Sequence, residues 1–483
     1  MIEKINKYYK YAMVGLFVYM PFHIFLSQWL STFTGGLDFW KIGKDVFAWL
    51  LLIFGSILVI WAKKTNKLFW VLWGLLLAYT AIHAILFVTT NQPTKTGVLA
   101  MVYNTRLMWF VLIGYNLSLL TKNKGELIKQ FTKYLLIVST IVCVVGLLQW
   151  ILPKDIMTHF GYSLERGVKP AFFIDDKPDL PRVMSTIRDP NSLGAFLILP
   201  ILLLLNLLIK NWTMVSSRQK LASTPRSSNQ NRLNLEQRVQ TRLTRFSQFY
   251  STRINSLKTQ FLSQGDHADK KMMLSGILLL HLLILFLTFS RSAWLAMIIA
   301  GGLHLGLTYK KQIIKYAVAY KYIIIALVLM FGLFTFVMRD QYIVQNVLLH
   351  SDENTKLQDS NSLHVTQIEK GLSGIAKQPL GHGPSTAGLV STRLPTGGLL
   401  TENYFVQIGY EVGGLGVAVF LGWLGCLLWL LRKHTIIIVT LIGLIAMNLL
   451  LHIWSNEAVA ASVFIFIGLL LYDTKSKNPA KSS

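Results

Sequence analysis

Long apolar runs separated by polar segments recur along the whole chain. A helix needs about 20 apolar residues to cross the hydrocarbon core of a bilayer. The runs therefore predict an all-α polytopic membrane protein with about twelve transmembrane helices, because a helix satisfies its own backbone groups in lipid. The predicted spans are 11–30, 45–62, 68–88, 98–120, 131–152, 190–210, 272–289, 291–309, 318–338, 404–431, 435–452 and 455–472.

Basic residues between the predicted spans indicate the orientation of the chain, since short cytoplasmic loops are enriched in lysine and arginine. Counting spans places all the basic loops on one side, and we expect that side, with both termini, to be cytoplasmic. The residues are Lys63, Lys64, Lys67, Lys122, Lys124, Lys129, Lys133, Lys310, Lys311, Lys315, Lys321, Arg432 and Lys433. The long polar segments 153–189 and 339–403 are then extracytoplasmic.

The order of spans and polar segments predicts six regions. They are transmembrane helices 1–6 (1–210), a basic cytoplasmic insert (211–271), helices 7–9 (272–338), a large extracytoplasmic loop between spans 9 and 10 (339–403), helices 10–12 (404–473) and a cytoplasmic tail (474–483). Apolar residues in the insert recur at near-helical spacing among arginines. This pattern favours a helix on an anionic membrane surface over a solvated linker.

Composition agrees with a membrane protein. Hydrophobic residues make up 53% of the chain and charged residues 14%, with a mean hydropathy of +0.48. The net charge of +25 comes largely from the basic loops and the insert, so it does not indicate nucleic-acid binding. Cys143 and Cys426 lie inside apolar runs, where they predict neither a disulfide nor a metal site.

A polar, glycine-rich motif lies directly before the tenth span. It comprises Gly381-His-Gly-Pro384 and the segment that begins at Glu402 and ends at Gly414. A chain that mostly faces hydrocarbon does not keep a polar, glycine-rich segment with carboxylates and histidines without a reason, so we expect a reaction there, at the membrane face. Glu402 is suited either to complement a helix N-terminus or, with a pKa raised by poor solvation, to act as a general base. His364 in the same loop is the other candidate base.

Three arginines predict an anion site. Arg291 separates two apolar spans, where a guanidinium must reach water or an anion, and its planar fork suits phosphate. Snorkelling to the interface is the alternative for Arg291. Arg182 and Arg188 precede the sixth span, which Asp189 is suited to cap and in whose first turn Pro190 fits.

Several common catalytic motifs do not occur in the sequence. There is no P-loop, no dinucleotide fingerprint, no nucleophile elbow and no histidine or carboxylate spacing typical of a metal site. We therefore expect neither a cofactor nor a metal ion.

Four motifs occur in an order that is typical of one membrane-enzyme family. They are Thr288–Ala296, Ser362–His364 leading to Gln378–Gly388, Thr401–Ile408 and Glu411–Gly416, and the earlier segment Arg188–Gly194, which contains Asn191, also fits. On these residues, over roughly 180–430, the chain resembles the O-antigen ligase and polymerase family. In the ligases a histidine commonly stands at the position of Glu402.

The resemblance implies a C-type glycosyltransferase-like architecture in the cytoplasmic (inner) membrane of a bacterium. Such enzymes transfer a glycan from an undecaprenyl-diphosphate carrier to a glycan or lipid acceptor outside the membrane, without a metal. It implies donor binding by Arg291, Arg188, Arg182, Asn191 and Arg393. It also implies that Glu402 or His364 deprotonates the acceptor hydroxyl, with inversion at the anomeric carbon. The expected partners are the donor, the acceptor and membrane lipids, with no nucleic acid.

Three alternatives remain at this point. A polysaccharide polymerase of the same family would carry the same motifs. A transporter would share the arrangement of six spans, a basic insert and six further spans, but the loop 339–403 is too large for a major-facilitator carrier. A lipid-glycan flippase is the third alternative.

Overall fold

The computed structural model describes residues 2–174, 177–222, 267–319, 360–394 and 397–471. Its helices are α1 (Ile2–Tyr19), α2 (His23–Thr34), α3 (Leu37–Trp61), α4 (Lys67–Thr89), α5 (Thr94–Leu120), α6 (Lys124–Ile151), α7 (Pro190–Ala222), α8 (His267–Leu287), α9 (Arg291–Ala319), α10 (Ser360–Lys377), α11 (Gly388–Ser391), α12 (Tyr404–Leu431), α13 (Thr435–Asn448) and α14 (Glu457–Leu470). Short 3₁₀ helices span Met20–Phe22, Ile156–Phe160 and Ile453–Ser455.

The chain forms two compact units, Met1–Leu202 with Leu280–Ser483, and Leu203–Leu279. Within the described residues, the second unit consists of the last part of α7 and the first part of α8. All contacts discussed below lie within the first unit. Most of the predicted insert 211–271 lies outside the described residues.

The described helices coincide with eleven of the predicted membrane spans. Eight are long and apolar enough to cross a membrane, and three shorter apolar helices span Lys271–Leu287, Thr435–Asn448 and Glu457–Leu470. The predicted span 318–338 falls almost entirely outside the described residues. The helical, multi-pass character predicted from the apolar runs is therefore confirmed.

One departure from an all-α chain occurs in the segment 153–189. Strands β1 (Phe172–Ile174) and β2 (Lys177–Arg182) form an antiparallel hairpin. The backbone of Val183 then donates a hydrogen bond to the Leu287 carbonyl oxygen at the end of α8 (3.0 Å). A predicted loop is thus an ordered part of the fold, because its strands pair with each other and its end pairs with a helix terminus.

Polar residues directly before several helices determine where those helices begin. The carboxylate of Asp189 accepts from the Ser192 backbone (2.9 Å), so Asp189 caps α7 and Pro190 occupies its first position, as predicted. Asn403 caps α12 in the same way, accepting from the backbone of Phe405 (2.9 Å). These caps satisfy backbone N–H groups that the first helical turn leaves without partners.

Helices α5 and α14 lie at the centre of the first unit. All residues of α14 are buried, and α5 is buried continuously from Asn104 to Leu120. The two helices cross where Gly114 faces Gly468, since a Cβ atom on Gly468 would lie 2.1 Å from the Val111 carbonyl oxygen. Small residues at a crossing allow the backbones to approach closely, which is how membrane helices commonly pack.

Candidate functional site

Several polar connections of the first unit meet at one end of its helices, which we call the loop face. Gln92 Nε2, after α4, donates to the His382 carbonyl oxygen (3.2 Å), and Asn403 Nδ2, before α12, donates to the Leu449 carbonyl oxygen (2.8 Å). The loop face comprises the connections 35–36, 90–93, 152–189, 288–290, 378–403 and 449–456. All of the predicted site residues lie on or beside these connections, except that His364 is on α10.

The two predicted candidate bases meet at the loop face. His364 Nδ1 lies 3.4 Å from Glu402 Oε2, and the two side chains are 39% and 23% exposed. Burial raises the pKa of the Glu402 carboxyl above its usual value, and the nearby His364 lowers it to a smaller extent. A partly desolvated carboxylate that remains accessible is suited to accept a proton from a bound hydroxyl group.

The backbone around Glu402 holds this residue in an uncommon conformation. Glu402 has a φ of 52°, in the left-handed region that non-glycine residues seldom adopt. On its N-terminal side, the hydroxyl of Thr401 lies 3.2 Å from His452 Nε2, and on its C-terminal side Asn403 caps α12. Such strained residues persist only where their surroundings hold them, and they are common at functional sites.

A second group at the loop face is strongly basic. Arg393, Arg188 and Arg166 all lie close enough to the Lys41 ammonium to repel it, and Asp38 is the carboxylate that offsets them. The ammonium also donates to the Arg166 carbonyl oxygen (2.7 Å). The structure therefore brings together the predicted Arg188 and Arg393, and it adds Lys41, which the sequence did not single out. This excess of positive charge is suited to hold a diphosphate.

Arg182 and Asn191, also predicted to bind the donor, contact each other. Arg182 Nη2 donates to Asn191 Oδ1 (2.8 Å), and Arg182 Nε donates to the Thr288 carbonyl oxygen (2.9 Å). These bonds fix the turn that precedes Arg291. Arg291 is the first residue of α9 and its side chain is exposed.

His382 packs against the helix that follows Glu402. Its ring stacks on that of Tyr410, with centroids 3.9 Å apart and planes 7° from parallel. Both rings line an open groove of about 470 Å³ beside α10, together with Glu369, Lys370, Ser373, Gly374 and Lys377. His382 therefore packs against α12, a role that its position in a polar loop did not indicate.

Four charged side chains that the sequence analysis missed form a buried cluster, which we call the ionic cluster. Lys44 Nζ lies 2.8 Å from Asp45 Oδ2 and 3.3 Å from Glu457 Oε1. Arg106 Nη1 lies 3.7 Å from Asp45 Oδ1 and 3.6 Å from Glu457 Oε1. The cluster joins α3, α5 and α14. The sequence offered one indication of this cluster. Arg106 lies inside an apolar run, where a charge requires a partner.

The ionic cluster lies directly beneath the basic group. Lys44 Nζ donates to the carbonyl oxygen of Lys41 (2.8 Å), one helical turn earlier in α3. Arg106 Nη2 donates to the carbonyl oxygen of Ser455 in the connection that precedes α14. The cluster thus fixes the backbone of two segments that contribute to the loop face.

The described residues contain no group of three or more histidine, cysteine, aspartate or glutamate side chains that could hold a metal ion. The charged groups that the described structure brings together at the loop face are the pair His364–Glu402 and the basic residues around Lys41.

Comparison with known protein families gives a match to one segment of the chain. A family model described as O-Antigen ligase matches residues 276–421, which include Arg291, His364 and Glu402. Arg188 lies outside the matched part. A search of curated proteins found no significant match. The resemblance seen in the motifs is confirmed by this match over residues 276–421.

Proposed function

We propose that the protein transfers a glycan from an undecaprenyl-diphosphate carrier to a hydroxyl group of an acceptor at the extracytoplasmic face of the membrane. The acceptor oxygen attacks the anomeric carbon, and the bond from that carbon to the carrier's phosphate oxygen breaks. The diphosphate leaves with the electron pair, and the acceptor proton passes to a base on the protein. One displacement of this kind inverts the anomeric centre.

The observation that carries this proposal is the contact between His364 and Glu402 (3.4 Å) within the part of the chain that matches the O-antigen ligase model. Membership of that domain family supports a ligase- or polymerase-type membrane glycosyltransferase. We assign the role of base to Glu402, because its carboxyl is the more buried of the two and can accept a proton directly. His364 then stabilises the ionised carboxylate.

We assign the diphosphate to the basic group around Lys41. Arg188 and Arg393 have side chains at the surface of the loop face, and their charges add to that of Lys41. A cationic site stabilises the charge that develops on a leaving diphosphate. Arg291 is assigned to the same anion, while Arg182 and Asn191 hold the turn before it in place.

The proposed orientation is supported by basic residues at the end of the first unit opposite the loop face. There, Lys64 Nζ donates to the Leu120 carbonyl oxygen (3.1 Å), and Lys122 pairs with Glu3 (2.9 Å). The basic connections after α3 and α5 are thus at the same end, which supports a cytoplasmic location for that end and an extracytoplasmic location for the loop face.

The orientation is tested with thiols on intact cells or spheroplasts, in a background with Cys426→Ser. Thr392→Cys lies on the loop face, Lys433→Cys lies in the turn after α12, and both positions are exposed. We expect an impermeant maleimide to label the first variant and to spare the second. The reverse labelling pattern would contradict the proposed orientation.

The activity is tested with purified protein in liposomes, a lipid-linked glycan and a hydroxyl-bearing acceptor. Transfer should yield one free carrier diphosphate for each glycan gained by the acceptor, and chelators should have no effect. A ladder of products identifies a polymerase, whereas single addition to a different acceptor identifies a ligase. Movement of labelled lipid-linked glycan across the bilayer without transfer would instead support a flippase.

A further inference from the structure

Glu411 is a carboxylate that the proposed reaction does not use, although it lies inside the O-antigen ligase domain. It is completely buried in α12, two turns after the helix begins. One carboxylate oxygen accepts from the backbone of Ser385 (2.8 Å) and, at longer range, from that of Ala387 (3.4 Å). The other accepts from Asn104 Nδ2 (2.7 Å). Glu411 therefore joins a transmembrane helix to the loop-face segment 381–394.

The bond from Asn104 is oriented by a histidine. Asn104 Nδ2 also lies 3.1 Å from His83 Nε2, and His83 Nδ1 lies 2.9 Å from the Tyr79 carbonyl oxygen. A carbonyl oxygen can only accept, so His83 carries its proton on Nδ1 and accepts from Asn104 at Nε2. Both hydrogens of the Asn104 amide are then used, and one of them points at Glu411.

The loop segment lies directly on the backbone of α12. Gly413 has a φ of 64°, which interrupts the helix and leaves carbonyl oxygens available to the loop. Gly383 N donates to the Glu411 carbonyl oxygen (2.9 Å), and Gly414 N donates to that of Pro379 (2.9 Å). A Cβ atom on Gly381 would lie 2.7 Å from the Glu411 carbonyl oxygen, so only glycine fits.

The segment held by Glu411 connects to both halves of the candidate site. Gly388 N donates to the Leu399 carbonyl oxygen (2.8 Å), and Leu399 N donates to that of Thr386 (3.2 Å). This pairing closes a loop that contains Arg393, and it places Glu402 three residues beyond its end. The position of the carboxylate thus determines where the chain presents both Arg393 and Glu402.

We propose that Glu411 is a positioning residue: its buried carboxylate fixes the loop segments 381–394 and 397–403, so that the diphosphate-binding Arg393 and the base Glu402 face one substrate. The proposal rests on the proposed glycan transfer for its functional part. Glu411 is not the base, because it is sealed from solvent and each of its carboxylate oxygens accepts a hydrogen bond from within the protein.

The test combines a reporter of loop packing with transfer activity. Ser391 is completely buried in the loop, so Ser391→Cys with Cys426→Ser places a protected thiol there, while the native Cys143 is itself buried. Glu411→Leu removes the acceptor for the Ser385 backbone, and we expect the thiol to react at least about tenfold faster. A misplacement of about 1 Å lowers catalysis by about 100-fold, so transfer should fall to that extent.

A second set of variants keeps the proposal testable if Glu411→Leu does not fold. Asn104→Asp alone places two carboxylates in contact, and we expect a reactive thiol and little transfer. Adding Glu411→Gln restores one donor and one acceptor across this contact with their roles exchanged, while His83 has to bind a proton at Nε2 to face the new carboxylate. Thiol protection and transfer should therefore both rise above those of Asn104→Asp. Glu369→Gln, on the exposed face of α10, is the matched control and should change neither measurement.

Thiol reactivity and glycan transfer together distinguish the positioning role of Glu411 from the proposed function. A protected thiol in Glu411→Leu, or parental transfer by that variant, would overturn the positioning role. Failure of the double variant to improve on Asn104→Asp would do the same. If the parent protein shows no transfer while thiol protection follows the expected pattern, the proposed function fails and the structural role of Glu411 stands.

Discussion

The ionic cluster and the His364–Glu402 pair differ in burial and in the number of charges. The four side chains of the cluster are at most 9% exposed, and their two positive and two negative charges compensate each other. His364 and Glu402 form one contact and are 39% and 23% exposed. The cluster is therefore suited to a structural role, whereas the pair is suited to exchange a proton with a bound hydroxyl group.

The difference shows how one membrane protein uses charge in two ways. Transferring a charge out of water costs free energy, and this cost is offset only if each buried charge keeps a partner of opposite charge. The ionic cluster meets that condition by drawing members from α3, α5 and α14. For Glu402, burial raises the pKa more than the nearby His364 lowers it, and the raised pKa makes the carboxylate a better base near neutral pH.

Glu402→Gln should produce the largest effect in this comparison. It removes the base and keeps the shape of the side chain, so transfer should fall by about 10²–10⁴-fold. Thermal stability and binding of the lipid-linked donor should be unchanged. Glu369→Gln again serves as the control. Near-parental transfer by Glu402→Gln, measured by mass spectrometry of the product, would exclude Glu402 and assign the base to His364.

Arg106→Met should lower the free energy of unfolding. It leaves Asp45 and Glu457 with Lys44 as their remaining cation, and loss of one partner of a buried ion pair costs about 3–5 kcal/mol. Adding Glu457→Gln restores neutrality, so unfolding in detergent should show partial recovery. The exposed pair Lys122–Glu3 provides the contrast, since Lys122→Met should not change stability measurably. Equal effects of Arg106→Met and Lys122→Met would contradict the structural role.

The pH dependence of transfer should show a smaller effect, which arises from the His364–Glu402 pair and not from the ionic cluster. The base must be ionised, so transfer should decline as pH falls through the raised pKa of Glu402, by about tenfold per pH unit below it. His364 lowers that pKa, so His364→Gln should move the decline to higher pH. The measurement is kcat/KM against pH. An unchanged profile in His364→Gln would show that the contact does not act on Glu402.

Parts of the candidate site could be predicted from local sequence because local chemistry produces them. Asp189 and Pro190 begin α7 as expected, since capping depends on neighbouring residues. Glu402 and His364 were selected as rival bases from their polar segment, and the structure places them in contact. That contact depends on how α10 packs, and no spacing along the chain indicates it.

Other roles were determined by residues far away in the sequence. Arg182 and Asn191 were predicted to bind a phosphate, and the structure adds that they contact each other and that Arg182 contacts the turn after α8. Lys41 was not selected, because its importance arises from Arg188 and Arg393, which lie more than a hundred residues further along the chain. The sequence indicated Glu411 only as part of a motif. Its contacts could not be predicted, because the backbone N–H group of Ser385, from which it accepts, is in another segment.

The sequence by itself determined the membrane-spanning class, most of the helices and the resemblance to O-antigen ligases over residues 276–421. Hydrophobic length and local capping act over a few residues and can be read directly from the chain. The tertiary structure alone decided which charges are compensated and which remain available for chemistry. The physical reason is that the free energy of a charge depends on burial and on partners within a few ångströms, and distant segments supply both, as Arg106 and Glu457 do for each other.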